Sequence, residues 1–175
     1  MIGVSPAVAA SIERLHGERG RRWVADLGRR IALSIARWSL DLDASPASRS
    51  GAVVWSARAR DEPVMLKLVV DEDAYLAEQA ALEWFEGRGC VKLIAASAGE
   101  AALLLERVEP GEHLRALVRA GRDEAATQAA ADVVSRLQVR VGASARTPLL
   151  DIGLEVSQTF EAYRRRFSHA GGPIP

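Results

Sequence analysis

The stretch Val64 to Gly111 reads VMLKLVVDEDAYLAEQAALEWFEGRGCVKLIAASAGEAALLLERVEPG. One cation, Lys67, stands inside the apolar run of Val64, Met65, Leu66, Leu68, Val69 and Val70. Apolar residues at successive positions over so short a span are the pattern of a strand buried on both faces, or on one face by the helix that follows. A lysine there is costly to desolvate unless an anion meets it. The next segment supplies carboxylates. Asp71, Glu72 and Asp73 complement the dipole at a helix start. From Tyr75 to Phe85, Leu76, Ala80 and Trp84 form a helical stripe with Ala81, Leu82 and Phe85 beside it. Two glutamates compete for Lys67: Glu78 lies close to that stripe and Glu83 at another angle. A solvated carboxylate on the helix face is the plainer reading of either one.

Downstream, Gly87-Arg88-Gly89 closes the helix, Val91 to Ala95 reads as a short strand, and Ser97 to Glu100 turns the chain. Ala101 to Leu105 is ambiguous by itself, because alanine and leucine suit a helix at least as well as a strand. Pro110-Gly111 then breaks the run. Upstream, Arg60-Asp61-Glu62-Pro63 reads as a turn and Ala52 to Arg60 as a strand, preceded by the small polar loop Ala44 to Gly51. Trp38, Leu40 and Leu42 alternate with polar residues, as in a half-buried strand. Ser5-Pro6 signals a helix start. Val8, Ile12 and Leu15 share one face of that helix. After Gly17 and Gly20, Trp23, Leu27, Ile31 and Ile35 mark a second helix, and both are expected to pack on the outside of a small sheet.

The order of strand lysine, helix glutamate, strand and hinge is similar to the nucleotide-holding amino-terminal lobe of protein kinases, in which a lysine–glutamate ion pair serves the phosphates. The words "LKL", "E-x-x-AL-x-W-x-x-GRG-x-V-x-L" and "ALLLER-x-EPG", with Gly121-Arg122-Asp123 beyond them, resemble the aminoglycoside and hydroxyurea antibiotic-resistance kinases, a family that includes streptomycin 6-kinases. The resemblance runs from about Trp23 onward and is strongest from Lys67 to Glu124. It implies an α+β, protein-kinase-like fold. Residues 1–111 would be the antiparallel-sheet amino-terminal lobe with its leading helices, and residues 112–175 the first helices of an incomplete carboxy-terminal lobe. It implies ATP and Mg2+ as cofactors of the complete enzyme and a small-molecule aminoglycoside such as streptomycin as phosphoryl acceptor. Another metabolite with the same kind of hydroxyl remains an alternative. Lys67 would hold the nucleotide phosphates and Glu78 would orient it, the spacing to Trp84 selecting Glu78 over Glu83. The Glu106 carbonyl and Val108 amide would meet the adenine edge. Ala101 to Leu105 becomes the last strand before the hinge, and the Ala44–Gly51 loop takes the place of the phosphate-covering loop, although the glycine pattern G-x-G-x-x-G is absent.

Phosphoryl transfer also needs a base for the accepting hydroxyl and ligands for magnesium. In this family those resemble H-x-D-x-x-x-x-N, and neither His113 nor His169 begins such a motif. Asp151-Ile152-Gly153 imitates the metal-binding D-F-G triplet, but it comes too soon after the hinge and reads as an ordinary loop or helix-start aspartate. No catalytic residue and no metal ligand is therefore assigned in this chain, and it is expected not to catalyse alone. A non-catalytic remnant that binds nucleotide weakly or only self-associates is the rival reading.

Downstream of the hinge, His113 to Ala120 reads as a short helix. Asp123 is the expected cap of a helix striped by Ala126, Ala130, Val133 and Leu137, which should end near Gly142. Gly142 to Pro148 should be a loop, and Val156, Phe160, Tyr163 and Phe167 an amphipathic helix. An unfinished core beneath that last helix predicts self-association.

Across 175 residues, 23 Lys and Arg balance 23 Asp and Glu, which gives no general attraction to nucleic acid or to an acidic membrane. The single cysteine, Cys90, reads as a small buried apolar residue rather than a nucleophile. His16, His113 and His169 are too scattered to hold a metal. No apolar run is long enough to cross a bilayer, and the chain is expected to be cytoplasmic.

Overall fold

The computed structural model describes residues 4–43, 46–49, 51–138 and 161. The elements in order are α1 (Pro6–Trp38), β1 (Leu40–Leu42), β2 (Ala47–Arg49), β3 (Ala52–Ala59), β4 (Glu62–Val69), α2 (Glu72–Phe85), β5 (Leu93–Ser97), β6 (Ala102–Glu106), α3 (Leu114–Arg119) and α4 (Asp123–Leu137). The strands form one antiparallel sheet in the order β1-β3-β4-β6-β5, with β2 pairing to β3. The α+β class expected from the sequence is therefore observed, and the strand that carries Lys67 is the central one.

Both faces of β4 and β6 are covered, which explains their unbroken apolar runs. On one face Val64, Leu66, Leu68, Ala102 and Leu104 pack against Trp23, Leu27 and Ile31 of α1. On the other, Val69, Leu103 and Leu105 pack with Tyr75 and Leu82 of α2. The alternation follows from the period of two along a strand. The helical propensity of residues 101–105 is overridden because each side of β6 buries against a different helix: Ala102 and Leu103 are fully buried and Leu104 is 3% exposed.

Ser5 caps α1, its Oγ accepting from the Val8 amide, and Pro6 follows at the first helical position. The backbone leaves helical geometry at Gly17, so α1 is two helical pieces joined at a kink, as the glycines predicted. Gly20 is the close approach between them: a Cβ there would stand 2.6 Å from the Ile12 carbonyl oxygen. Trp23 fastens the second piece to the sheet by donating from Nε1 to the Val69 carbonyl (3.0 Å).

Several boundaries differ from expectation. Trp38 ends α1 instead of opening β1, and Ser39 takes left-handed backbone to close the helix. Part of the expected Ala44–Gly51 loop is strand β2, whose register pairs Arg49 with Ala52, so only Ser50 and Gly51 lie between β2 and β3. The expected four-residue turn at Arg60 shrinks to Arg60 and Asp61, both with positive φ, as a two-residue hairpin with this twist requires. Pro63 is consequently inside β4. It is tolerated there because the pairing with β6 begins only at Val64. β5 starts at Leu93 instead of Val91, with a bulge that leaves Ile94 49% exposed. Arg122, not Asp123, occupies the cap position of α4, and its side chain makes no capping bond.

The predicted stripe on α2 is also corrected. Tyr75 and Leu82 are the buried residues, whereas Leu76 is 51% exposed. Hydrophobicity alone had put Leu76 inward; the direction of the sheet puts Tyr75 there instead. The expected Gly142–Pro148 loop, Asp151-Ile152-Gly153, the helix of Val156, Phe160, Tyr163 and Phe167, and His169 lie outside the described residues.

Candidate functional site

Lys67 sits at the middle of β4, on the face that α2 covers in part. Its cross-strand neighbours are Val54 on β3 and Leu103 on β6, and Met65, two residues away on the same face, is opposite Ser56 and Leu105. Leu103 and Leu105 are buried beneath α2, while Val54, Ser56, Met65 and Lys67 are half-buried. The floor around the lysine is therefore apolar on one side and open on the other.

Glu78 reaches Lys67 from α2. It lies one turn from both Tyr75 and Leu82, which are anchored on the sheet, so the same helical face points its carboxylate at β4. The Lys67 Nζ donates to Glu78 Oε1 at 2.5 Å and to Oε2 at 2.7 Å. The side chains are 23% and 31% exposed, so the pair is neither a free surface bridge nor sealed in the core. That intermediate position matters chemically. The carboxylate fixes the ammonium where an incoming anion can reach it, and the lysine retains its third donor for that anion. Glu83 is not part of this arrangement; its Oε1 accepts from Gln79 Nε2 at 2.8 Å on the exposed side of α2.

The start of α2 is pinned independently. Asp71 caps it by accepting from the Asp73 and Ala74 amides at 3.0 and 3.1 Å, and Arg19 of α1 pairs with the other oxygen of the same carboxylate. The long-range partner Arg19 gave no sign in the sequence, since it is one of many arginines, 52 residues away. Tyr75 was missed for a similar reason: only its burial, to 1% exposure, reveals it as the anchor beside Glu78.

Glu106 is the last residue of β6. Its amide donates to the Lys92 carbonyl at 3.0 Å, and its carboxylate accepts from the Lys92 amide at 2.9 Å, which fixes the strand end against the chain entering β5. Val108 lies two residues beyond and is 55% exposed. Lys67 and Glu78 are thus brought into contact, and Glu106 and Val108 lie where the chain leaves β6 toward α3.

Other candidates are accounted for. Cys90 is half-buried and packs against the Tyr75–Leu103 cluster, as a small apolar residue would. Among the described residues no group of three or more His, Cys, Asp and Glu could hold a metal ion, and no helix is long and apolar enough to cross a membrane. A groove of about 790 Å³ opens between α1, the start of α2 and the turn before β6, lined by Arg19, Arg22, Asp26, Arg30, Glu72 and Asp73 among others. Each of its arginines already has a carboxylate partner: Arg19 pairs with Asp71, Arg22 with Glu18 and Arg30 with Asp26.

Comparison with known proteins bears on this arrangement. The sequence pattern of the aminoglycoside/hydroxyurea antibiotic resistance kinases matches residues 37–172, more than three-quarters of the chain and a span that includes Lys67, Glu78, Glu106 and Val108. A hydroxyurea phosphotransferase of Kitasatospora aureofaciens is 36% identical over 146 residues, covering 82% of this chain and 41% of its own length. Streptomycin 6-kinases of Streptomyces glaucescens and Streptomyces griseus are 28% and 31% identical, each over 78% of this chain and 44% of their own length. The chain thus spans about two-fifths of the length of these curated relatives. No solved structure matches significantly. With the family pattern laid over both strands of the lysine site and the helix between them, the chain belongs to the aminoglycoside/hydroxyurea antibiotic resistance kinases.

Proposed function

We propose that this chain forms the nucleotide-binding part of an ATP-dependent phosphotransferase that modifies a hydroxyl of an aminoglycoside such as streptomycin. Residues 1–111 act as the amino-terminal lobe and residues 112–175 begin the helical lobe. The observation that carries the reading is the two-pronged Lys67–Glu78 ion pair, half-exposed between the central strand and α2. Lys67 binds the α- and β-phosphates while Glu78 holds its ammonium in place. The Glu106 carbonyl and Val108 amide take the adenine edge, and the half-buried Val54 and Met65 offer its ring an apolar surface. ATP supplies the γ-phosphoryl group. The partly exposed Lys67 ammonium supports a nucleotide, whereas no group of three or more His, Cys, Asp and Glu among the described residues could hold a metal ion. The base and the magnesium ligands are assigned to sequence outside this chain, because no H-x-D-x-x-x-x-N motif occurs in it. The chain alone therefore binds nucleotide without transferring phosphate.

A second acceptor, hydroxyurea, is favoured by one observation: the hydroxyurea phosphotransferase is 36% identical to this chain, against 28% and 31% for the streptomycin 6-kinases. Both acceptors present a hydroxyl to the same donor. Calorimetric titration with MgATP tests the binding claim. Wild-type chain should bind, and Lys67→Ala should bind roughly 10–100-fold more weakly, the worth of a charge-assisted hydrogen bond to phosphate. Equal affinity in the two would end the nucleotide reading. It would favour a self-associating remnant, for which Leu114, Val118, Val133 and Val134, each at least 42% exposed on α3 and α4, would provide the contact. Phosphate transfer from labelled ATP to streptomycin or to hydroxyurea, assayed in the enzyme that includes the base and metal ligands, decides the acceptor.

A further inference from the structure

The turn that leaves α2 contains two glycines in the same strained backbone region. Glu86 ends the helix at φ 47, and Gly87 and Gly89 follow at φ 81 and φ 77. Side chains are disfavoured at both by the backbone alone. Their surroundings differ. A Cβ on Gly87 would meet Lys92 Cβ at 3.7 Å, an ordinary contact. A Cβ on Gly89 would stand 3.0 Å from Leu137 Cγ, 3.0 Å from the Val133 carbonyl oxygen and 3.1 Å from Arg136 Cβ. Those three residues form the last turns of α4. The contacts with Leu137 and Arg136 are to side chains that substitution can trim, but the Val133 carbonyl is backbone and yields only if the helix moves.

Apart from its packing on α3, little else holds α4. Ala126 is its one buried residue among those described, and Val133 and Val134 are 42% and 52% exposed. The predicted stripe of Ala126, Ala130, Val133 and Leu137 runs toward the Gly89 contact, so that contact is the outer end of the helix's apolar face. On the other side of it, α2 is a short rigid rod. Its start is fixed by Asp71 and Arg19, and its end, roughly two turns beyond Glu78, is fixed by this turn.

We propose that Gly89 is a positioning residue: by having no side chain it lets α4 close on the end of α2, and this contact keeps Glu78 aligned with Lys67. A side chain at position 89 displaces α4, frees the last turns of α2 and loosens the ion pair. The effect on nucleotide affinity rests on the function proposed above; the effect on α2 does not.

Gly87→Ala is the control, since it carries the same backbone strain without the clash. Hydrogen exchange of backbone amides and MgATP affinity are measured on the full chain as wild type, Gly87→Ala, Gly89→Ala and Leu137→Ala. Relative to Gly87→Ala, Gly89→Ala should speed exchange in α4 and in the last turns of α2, and weaken MgATP binding, each by about tenfold, a usual size for coupling between two sites. Leu137→Ala thins the contact from the α4 side without touching the turn, and should speed exchange over residues 82–90. If the two glycine variants behave alike, or if α4 loosens while α2 and the affinity do not change, the proposal is overturned. Should Gly89→Ala fail to fold, unchanged exchange over residues 82–90 in Leu137→Ala overturns it equally. If wild type binds no MgATP while Gly89→Ala still loosens α2, the positioning role stands and the nucleotide reading falls.

Discussion

Lys67 is held by two hydrogen bonds to one carboxylate, at 2.5 and 2.7 Å, in a place where neither partner is fully solvated. Removing either member leaves the other partly buried and unpaired, so Lys67→Ala and Glu78→Ala should each lower stability by about 1–3 kcal/mol, read from urea unfolding. Glu78→Gln should cost less stability but still weaken nucleotide binding, because an amide keeps hydrogen-bonding capacity and loses the charge that orients the ammonium. A Glu78→Gln variant with unchanged affinity would show that the glutamate is structural only. The fully buried Trp55 presents the opposite case: its Nε1 has no hydrogen-bond partner among the described residues. Trp55→Phe removes an unsatisfied donor along with some volume. It is expected to cost less than about 2 kcal/mol, against the 3–5 typical of truncating a buried aromatic to alanine.

At the scale of the element, α2 depends on its cap and its anchor. Asp71 accepts from two amides at the helix start and from Arg19, so Asp71→Ala should destabilise by about 1 kcal/mol or somewhat more, measured by thermal or urea unfolding. Tyr75 offers a pH test. Its burial, with the charges of Glu83 and Glu100 adding to it, raises the phenol above its ordinary range. The unfolded chain therefore ionises first as pH rises, so this residue's contribution to stability is full below the ordinary phenol range and declines through and above it. Tyr75→Phe should flatten the alkaline loss of stability; an identical slope in the variant would count against the burial. The β5–β6 turn shows the same economy of fixing one element through another. Glu100, 5% exposed, accepts from Ser97 and lies 3.5 Å from Arg37 of α1, while Arg30 donates to its carbonyl at 2.8 Å.

Across the whole molecule, β4 and β6 belong to two cores at once, one under α1 and one under α2. Leu66 faces the first and Leu103 the second, and both are fully buried. Because the same strands carry both cores, Leu66→Ala and Leu103→Ala should each cost about 2–5 kcal/mol in a single unfolding transition. Two separate transitions, one sensitive to each substitution, would show that the layers unfold independently. The arrangement also explains how a site can stand on a rigid base while remaining open: the core under α1 carries the sheet, and α2 covers only the β4–β6 side of the opposite face.

Much of this was legible in the residues themselves. The apolar run around Lys67, the break at Gly17, the acidic start of α2 and the family words around Glu78 and Glu106 are local, and local pattern is set by strand and helix period and by backbone chemistry. Other features were decided only when the chain closed on itself. Residues 101–105 became a strand because two helices bury its two sides, against their own propensity. Tyr75 replaced Leu76 on the inner face because the sheet, and not the helix, determines which stripe is inside. Arg19 met Asp71, and Gly89 met α4, through contacts between segments 52 and more than forty residues apart. Apart from residues 101–105 and β2, the sequence by itself determined the kinds of elements and the candidate ion pair, since these follow from spacing along one segment. Only the tertiary structure decided which faces, boundaries and distant partners hold that pair in place, since these depend on packing energies shared between segments.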